Sequence, residues 1–257
     1  MISAKKSLGQ NFLISTGVAR AMIEAAGLSG HETVLEVGPG NGFLTQFLLT
    51  RAAKVIAVEK DHRLIPILRQ KFASEILDSR LEIIEADILN FSDYQLLPTS
   101  YRLVANIPYY LTGELLTKFL TAKQPPTKMV IMLQQEVAER IVAKNGKESI
   151  LSLSVKVFGE PKYLTKVPAK FFRPRPSVDS AVLIIDNINR ERLRGIPESK
   201  FFDLVKKGFG SKRKMVRNNP ADHLAILKTC GIADTARPET LQLKDWLCLA
   251  RAAGKES

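Results

Sequence analysis

The chain has 257 residues, of which 45% are hydrophobic and 25% charged, a balance that excludes a disordered or fibrous protein and is typical of a globular one. Lysine and arginine number 38 against 26 aspartates and glutamates, so the formal net charge is +12. This surplus favours an anionic partner, with nucleic acid ahead of an acidic membrane or protein. No apolar run reaches the ~18 residues of a membrane span, and the first residues lack the apolar core of a secretory signal. We therefore expect a cytoplasmic protein with no membrane contact.

The first half of the chain alternates between strand and helix patterns. Apolar runs predict five strands, at Thr33–Val37, Lys54–Glu59, Leu81–Asp87, Tyr101–Asn106 and Lys128–Gln134. A helical pattern follows each of them except the third. Strands that are apolar throughout indicate a mostly parallel sheet covered on both faces. Residues 151–185 are predicted to be extended, and their last run, 178–185, is expected to form an antiparallel edge strand.

From residue 188 onward only helical periodicity is present. We predict an α/β protein with a Rossmann-like sheet in residues 1–186 and a small all-helical C-terminal domain in residues 187–257. Cys230 and Cys248 are too few for a disulfide framework and lack metal-type spacing. We expect them to be reduced, buried helix residues, and we expect no metal site.

The loop after the first strand is rich in glycine, and ligands of such sheets bind at the carboxyl ends of the strands. Gly38 and Gly40 let the backbone approach a ligand closely, but the spacing is not the Gly-x-Gly-x-x-Gly of a dinucleotide binder. A nucleoside without a pyrophosphate fits better. Alone, this loop is equally consistent with a plain turn.

Acidic side chains at the next two strand ends strengthen the nucleoside interpretation. Glu59 follows the glycines by about 20 residues, where a carboxylate accepts hydrogen bonds from ribose hydroxyls. If the nucleoside belongs to S-adenosylmethionine, Asp87 can accept a hydrogen bond from the amino group of its adenine, and Ile88 can pack on the adenine ring. Glu36, inside the first strand, orients the loop or approaches the methionine part. The sequence therefore predicts an S-adenosylmethionine site, against the alternative that Glu59 is a surface carboxylate.

The most specific motif, Asn106-Ile107-Pro108-Tyr109, follows the fourth strand. An adenine N6 amine is a poor nucleophile, and acceptors at Asn106 and at a carbonyl of the turn favour the pyramidal amine that attacks a methyl group. Pro108 stiffens the turn and donates no hydrogen bond, and Tyr109 offers a flat face for an unstacked base. Phe172, beside a proline-rich loop, is expected to cover the other face of that base, with core packing as the alternative.

These motifs resemble those of the ribosomal RNA adenine dimethyltransferases across essentially the whole chain. The segments that carry the resemblance are Leu8-Gly9-Gln10-Asn11-Phe12-Leu13, Glu36-Val37-Gly38-Pro39-Gly40, Asn106-Ile107-Pro108-Tyr109 and Phe172-x-Pro174-x-Pro176-x-Val178-Asp179-Ser180. The family's fold is a class I methyltransferase sheet. Its small-subunit, kasugamycin-sensitivity type dimethylates two adjacent adenines in the 3′-terminal hairpin loop of that rRNA, within a pre-ribosomal particle. The resemblance implies this activity for the chain, which we expect to be a monomer.

The resemblance also assigns residues. It implies that Gln10, Asn11 and Leu13 contact S-adenosylmethionine, and that Gly38, Glu59, Asp87 and Asn106 match the family's other cofactor positions. Ile107 resembles the residue found in enzymes that add two methyl groups to one nitrogen. Residues 209–219 look like a basic motif of the small-subunit type, with Lys212 in place of its first arginine.

A basic segment in the C-terminal domain is expected to bind rRNA phosphates. Residues 204–219 contain no acid and six basic residues, Lys206, Lys207, Lys212, Arg213, Lys214 and Arg217. A solvated basic face is the alternative explanation. Two functions compete with the favoured one: a large-subunit methyltransferase of the macrolide-resistance type, and a non-catalytic ribosome assembly factor. The second has no need for Glu59, Asp87 and an intact Asn-Ile-Pro-Tyr.

Overall fold

The computed structural model describes residues 4–5, 8–91, 97–210 and 223–253. Its strands are β1 (Phe12–Leu13), β2 (Thr33–Val37), β3 (Lys54–Glu59), β4 (Leu81–Glu85), β5 (Tyr101–Asn106), β6 (Lys128–Gln134), β7 (Glu160–Val167), β8 (Phe172–Arg173) and β9 (Ser180–Asp186). Its helices are α1 (Thr16–Ala26), α2 (Phe43–Leu48), α3 (Ile65–Lys71), α4 (Ala73–Leu77), α5 (Thr112–Leu120), α6 (Gln135–Val142), α7 (Ile150–Lys156), α8 (Glu198–Phe209), α9 (His223–Thr229) and α10 (Leu243–Ala253). None of these described helices combines the length and apolar character needed to cross a bilayer.

A seven-stranded sheet in the order β4-β3-β2-β5-β6-β9-β7 forms the centre of the larger unit. The five predicted strands are confirmed as β2 to β6, and they run parallel to one another. The predicted strand at 178–185 is also confirmed, as β9, which runs antiparallel to β6. It lies one position inside the sheet, however, because β7 forms the edge. β2, β3, β5 and β6 are mostly buried, as their apolar sequences predicted, whereas β4 at the edge of the sheet is mostly half-buried.

The order of the strands places a switch point beside β2. Moving along the chain, β3 and β4 add on one side of β2, whereas β5 and β6 add on the other. The loops that leave the carboxyl ends of β2 and β5 therefore diverge and leave a crevice between them, which is where open α/β sheets bind ligands.

A second, two-stranded sheet joins the N-terminal segment to the segment before β9. β1 pairs antiparallel with β8, so that Phe12 lies opposite Arg173 and Leu13 opposite Phe172. The backbone N–H of Ile14 extends the ladder by donating to the Phe171 carbonyl at 2.9 Å. Strands of two residues are too short to produce a periodic sequence pattern, and the sequence analysis did not predict them.

The chain divides into two compact units, residues 1–138 with 161–188 and residues 139–160 with 189–257. The sequence-based boundary at residue 186 had placed residues 139–160 in the first domain. The expectation that residues 151–185 are extended was wrong at its start, because α7 occupies Ile150–Lys156. A capping box explains the helix: Ser149 and Ser152 exchange side-chain and backbone hydrogen bonds at its first turn. This helix packs on α8 within the second unit.

The core of the second unit includes the packing of α8 on α10. Trp246 of α10 is buried and its ring stacks on Phe209 of α8, with centroids 5.7 Å apart. In the same unit Cys230 and Cys248 form a disulfide, with Cα atoms 5.8 Å apart. The expectation of two reduced, buried cysteines was wrong, since they are bonded and only half-buried. Their sequence separation of 18 carried no information about how α9 and α10 pack.

Gly208 on α8 offers a test of this packing, because a Cβ added there would overlap the Trp246 ring. A Cβ added to Gly113 on α5, in contrast, would lie in open space. We expect Gly208→Ala to lower the free energy of unfolding, although alanine favours helices by about 1 kcal/mol over glycine. Gly113→Ala should raise it by up to about 1 kcal/mol. Denaturant unfolding of both variants measures the two signs, and stabilisation by Gly208→Ala would contradict the packing described.

Candidate functional site

The loops at the carboxyl ends of the parallel strands line one cavity, with about 980 Å³ of empty space that includes its open mouth. Every cofactor and catalytic residue predicted from the sequence is among the lining residues. These are Gln10, Asn11, Leu13, Glu36, Gly38, Gly40, Glu59, Asp87, Ile88, Asn106, Pro108, Tyr109 and Phe172. Residues from six separate stretches of the chain therefore meet at the predicted place. Their individual roles stay predictions.

The glycine-rich loop passes from β2 into α2 in a left-handed conformation. Gly38 and Gly40 have φ values of +69° and +61°, which side chains with a Cβ adopt at a cost. A Cβ at Gly40 would also come within 2.9 Å of the Phe12 ring. The N–H of Gly40 donates to Glu59 Oε2 at 3.0 Å. The loop is thus tied to the end of the neighbouring strand.

Glu59 is a buried carboxylate that accepts hydrogen bonds from the backbone. Besides Gly40, the N–H of Asp61 donates to its Oε1 at 2.8 Å. Burial raises the pKa of Glu59, and these backbone donors oppose the rise. Each oxygen of a carboxylate has two lone pairs. Glu59 can therefore accept a ligand's hydroxyls while it holds the loop.

Glu36 is also fully buried, on β2 directly below the loop. Neither of its oxygens makes a hydrogen bond within the described part of the chain, and the hydroxyl of the equally buried Thr45 makes none either. Burial raises the pKa of Glu36 to about 8, and the nearby Glu59 adds to the rise. The Thr45 hydroxyl, which is close to the carboxyl but outside hydrogen-bonding geometry, and the positive charge of Lys71 oppose the rise. A buried carboxyl without a partner costs free energy, and it would be satisfied by a cationic group in the cavity.

The N-terminal segment closes the cavity through two polar contacts. The side-chain amide of Gln10 donates to Asp61 Oδ2 at 2.8 Å, and the amide of Asn106 donates to the Asn11 carbonyl at 3.1 Å. Arg63 holds Asp61 through two side-chain hydrogen bonds and keeps the pKa of this carboxyl well below its ordinary range. The predicted Gln10 and Asn11 thus connect the segment to β3 and to β5.

Asp87, after β4, is paired with a cation at the mouth of the cavity. Lys60 Nζ lies 2.7 Å from its Oδ2, and the N–H of Leu89 donates to its Oδ1 at 3.0 Å. These partners outweigh burial and lower the pKa of Asp87. The adjacent Ile88 is buried and lines the cavity. The carboxylate therefore stays ionised and able to accept a hydrogen bond.

The Asn106–Tyr109 turn forms the wall opposite the glycine loop. Pro108 has φ −56°, and the following N–H of Leu111 donates to its carbonyl at 3.0 Å. The hydroxyl of Tyr109 lies 2.8 Å from that of the buried Ser180, which holds the ring in place. Burial raises the pKa of Tyr109.

Phe172 is buried and belongs to the core as well as to the cavity wall. Both interpretations considered for it, base contact and core packing, thus agree with its position. Of the six basic residues expected to bind RNA, Lys206 and Lys207 lie exposed on α8. The other four, Lys212, Arg213, Lys214 and Arg217, lie outside the described residues.

The sequence matches the profile of the ribosomal RNA adenine dimethylase family over residues 1–255. The chain belongs to this family. Among its relatives, a protein of Dehalococcoides mccartyi named ribosomal RNA small subunit methyltransferase A is 43% identical over 98% of this chain and 89% of the relative. A protein of the same name from Geobacillus thermodenitrificans is 36% identical over 97% of this chain and 91% of the relative.

Solved structures of similar proteins have the same fold. A dimethyladenosine transferase from Plasmodium falciparum aligns with a TM-score of 0.84 and 26% identity, over 95% of this chain and 98% of that one. The 23S rRNA methyltransferase ErmE aligns with a TM-score of 0.76 and 26% identity, over 93% of this chain and 98% of that one. The expected class I methyltransferase fold with C-terminal helices is confirmed.

Sequence reasoning missed three residues that support the site. Asp61 anchors Gln10, Ser180 holds the Tyr109 ring, and Lys71 Nζ donates to the carbonyls of Asn41 and Gly42 at 3.1 Å each. Asp61 follows Glu59 by two residues, so its acidity beside a strand end was an available signal. Ser180 and Lys71 reach the site only through the fold.

Glu36 generates a prediction about pH. The folded protein keeps its proton up to about pH 8, whereas an unfolded chain releases it near the ordinary value of about 4.3. Between these two values the unfolded state binds fewer protons, so this group lowers stability as pH rises. We expect Glu36→Gln to gain stability relative to the wild type from pH 5 to pH 8. Denaturant unfolding at both pH values measures this, and a constant difference would contradict it.

Proposed function

We propose that this chain transfers methyl groups from S-adenosylmethionine to N6 of adenine in rRNA. The proposed product is N6,N6-dimethyladenine at two adjacent adenines of the 3′-terminal hairpin loop of small-subunit rRNA. The observation that carries the proposal is the meeting of the Asn106–Tyr109 turn with Glu36, Glu59 and Asp87 in one cavity. Family membership and the printed names of the relatives support it.

The acidic residues of the cavity fit S-adenosylmethionine. When bound, this cofactor supplies a methyl group made electrophilic by a positively charged sulfur. Glu59 would accept hydrogen bonds from the ribose hydroxyls, and Asp87 would accept one from the adenine amino group. Both carboxylates are held by backbone donors that leave lone pairs available. Glu36, which is buried and makes no hydrogen bond with any described residue, would face the positively charged methionine end.

The turn after β5 contacts the substrate adenine, which is distinct from the adenine of the cofactor. The Nδ2 of Asn106 donates to the Asn11 carbonyl, so the side chain is oriented with Oδ1 as its acceptor. That oxygen and a carbonyl of the turn would accept hydrogen bonds from the N6 amino group and concentrate the lone pair on the nitrogen. The methylated nitrogen would then release one proton to solvent. Pro108 keeps the turn stiff. The base lies on Tyr109, with Phe172 on its other side.

Positioning supplies most of the rate acceleration in this scheme. The methyl donor is already activated by its charge, so no strong general base is needed. By holding the cofactor and the target base in one cavity, the lining residues would replace a bimolecular encounter in water. The N-terminal segment that Gln10 and Asn11 tie down helps to exclude solvent from this approach.

The domain assignment follows from this division of labour. We propose that residues 1–186 form the methyltransferase domain and that residues 187–257 form a helical rRNA-binding domain, in which Lys206 and Lys207 contact phosphates together with Lys212, Arg213, Lys214 and Arg217. The partner is small-subunit rRNA in a pre-ribosomal particle, met in the cytoplasm by a monomer. The net charge of +12 supports an RNA partner.

A large-subunit methyltransferase is the rival, since ErmE shares the fold. Its identity of 26% is well below the 43% of a relative named for the small subunit, which favours the proposal. The test supplies labelled S-adenosylmethionine with unmethylated small subunits or with naked large-subunit rRNA. Label in the small subunits supports the proposal. Label only in the large-subunit rRNA would establish the rival, and binding without label would indicate an assembly factor.

Asn106 is predicted to be essential for transfer but not for cofactor binding. We expect Asn106→Ala to lower the rate roughly 100-fold or more, because the amine loses an acceptor that aligns it. Calorimetry should show cofactor affinity largely preserved. Asn41 is another asparagine of the cavity, and its side chain accepts a hydrogen bond from the N–H of Phe43 in the same loop. Asn41→Ala is the control that keeps activity. Full activity of Asn106→Ala would remove the role proposed.

Two variants of Tyr109 distinguish the contribution of base stacking from that of the hydroxyl hydrogen bond. Tyr109→Phe keeps the flat ring but loses the Ser180 contact, whereas Tyr109→Ala loses both. We expect Tyr109→Ala to weaken transition-state binding by about 1–3 kcal/mol, the usual value of a base stacked on an aromatic ring. Tyr109→Phe should stay near the wild type in kcat/KM for the RNA. Equal losses in the two variants would show that the hydroxyl, rather than the ring face, matters.

A further inference from the structure

A row of basic side chains runs along the chain from β7 to the segment that carries Phe172. Residues 161–178 hold five lysines and arginines and no acidic residue. All five are exposed. We call them the basic ridge, and its members are Lys162, Lys166, Lys170, Arg173 and Arg175.

The backbone directs these side chains outward. On β7, exposed and less exposed residues alternate, so that Lys162 and Lys166 share the exposed face of the strand. On β8, Phe172 is buried in the cavity wall whereas the next residue, Arg173, is exposed. Neighbouring residues of a strand point to opposite faces. The side chain of Arg173 therefore points into solvent, on the side of the strand opposite to Phe172.

Protection of a sheet edge explains only part of the ridge. Edge strands often carry lysines that prevent pairing with other chains, and Lys162 and Lys166 lie on the edge strand β7. Both are also paired, with Asp186 at 3.4 Å and Asp179 at 2.8 Å. Neither explanation covers the remaining three members of the ridge.

Lys170, Arg173 and Arg175 lie outside the seven-stranded sheet. Within the described residues, none of them has a carboxylate at ion-pair distance. Arg175 acts on Asp179 only at longer range, and Asp179 is already bonded to Lys166 and to the N–H of Ala169. Three positive charges thus lie within three residues of Phe172, which belongs to the cavity wall, without a matching set of acids among the described residues.

We propose that the basic ridge binds the phosphates of the RNA strand on either side of the adenine that enters the cavity. This inference rests on the proposed function. A base that enters such a cavity leaves its stack, and its sugar and phosphates stay outside at the rim. The planar forks of Arg173 and Arg175 match phosphate oxygens. Contacts of this kind set the position of the strand rather than its sequence.

The ridge gives the methyltransferase unit its own hold on RNA, separate from the basic residues of α8. The exposed Leu164 lies between Lys162 and Lys166 on the same face of β7 and adds apolar surface to the basic ridge. The ridge therefore orients the strand so that the target base faces the Asn106–Tyr109 turn. Its loss should affect RNA binding and leave the cofactor side intact.

The test compares two triple variants of equal charge change. The ridge variant is Lys170→Gln/Arg173→Gln/Arg175→Gln. The control is Arg20→Gln/Arg51→Gln/Arg69→Gln, which removes three exposed arginines that do not line the cavity. The probe is an RNA hairpin whose loop holds two adjacent adenines, and its affinity is measured across a range of salt concentrations. S-adenosylmethionine affinity is measured in parallel.

For single-stranded RNA each phosphate contact contributes about 0.7 to the slope of log affinity against log salt. We expect the slope of the ridge variant to be smaller by about 2 than that of the wild type, with unchanged cofactor affinity and a raised KM for unmethylated small subunits. The control should keep the wild-type slope. Equal slopes for the ridge variant and the wild type, with methyl transfer intact, would overturn the ridge alone. A wild type that neither binds nor methylates RNA would overturn the proposed function and the ridge with it.

Discussion

The carboxyl ends of four neighbouring parallel strands lie at one edge of the sheet, and the whole site depends on that alignment. The ladder places Val37 beside Val58 and Ala105, and Glu59 beside Glu85. Each loop therefore leaves the sheet at nearly the same level. Main-chain hydrogen bonds maintain this register, since a slip by one residue would turn buried side chains to the opposite face. The polar residues at the strand ends are thus held by the core beneath them.

The N-terminal segment connects the two halves of the cavity. Gln10 reaches Asp61 beyond β3, Asn11 receives the amide of Asn106 at the end of β5, and β1 pairs with the strand that carries Phe172. The N-terminal segment therefore contacts both the proposed cofactor side and the proposed base side of the cavity. Asn106 lies where the two sides meet, and the Asn11 carbonyl that orients its amide belongs to the N-terminal segment.

Much of the fold was predictable because its strongest features are local. The five parallel strands are largely apolar runs that end at a glycine, a carboxylate or a side-chain amide, and both the runs and their ends are visible in the sequence. Residues 151–185, in contrast, were predicted to be extended, whereas the Ser149–Ser152 capping box and the packing on α8 produce a helix at Ile150–Lys156. Local periodicity was too weak there to decide the structure.

The site was predictable in part, and its supporting contacts were not. Strand-end reasoning located Glu59, Asp87 and Asn106, whereas Gln10, Asn11 and Leu13 were assigned only through family resemblance. The Gln10–Asp61 bond joins residues 51 positions apart, and Tyr109 meets Ser180 across 71 positions. Such pairs depend on tertiary structure. The bond between Cys230 and Cys248 was missed for the same reason.

The central claim is that one cavity brings a methyl donor and an extruded adenine together so that one nitrogen is methylated twice. Mass spectrometry of the nucleosides from small subunits treated with the wild-type protein tests it most directly. The account predicts N6,N6-dimethyladenosine at two adjacent positions of the 3′-terminal hairpin loop. Product confined to monomethyladenosine, or methylation at another base or atom, would contradict it.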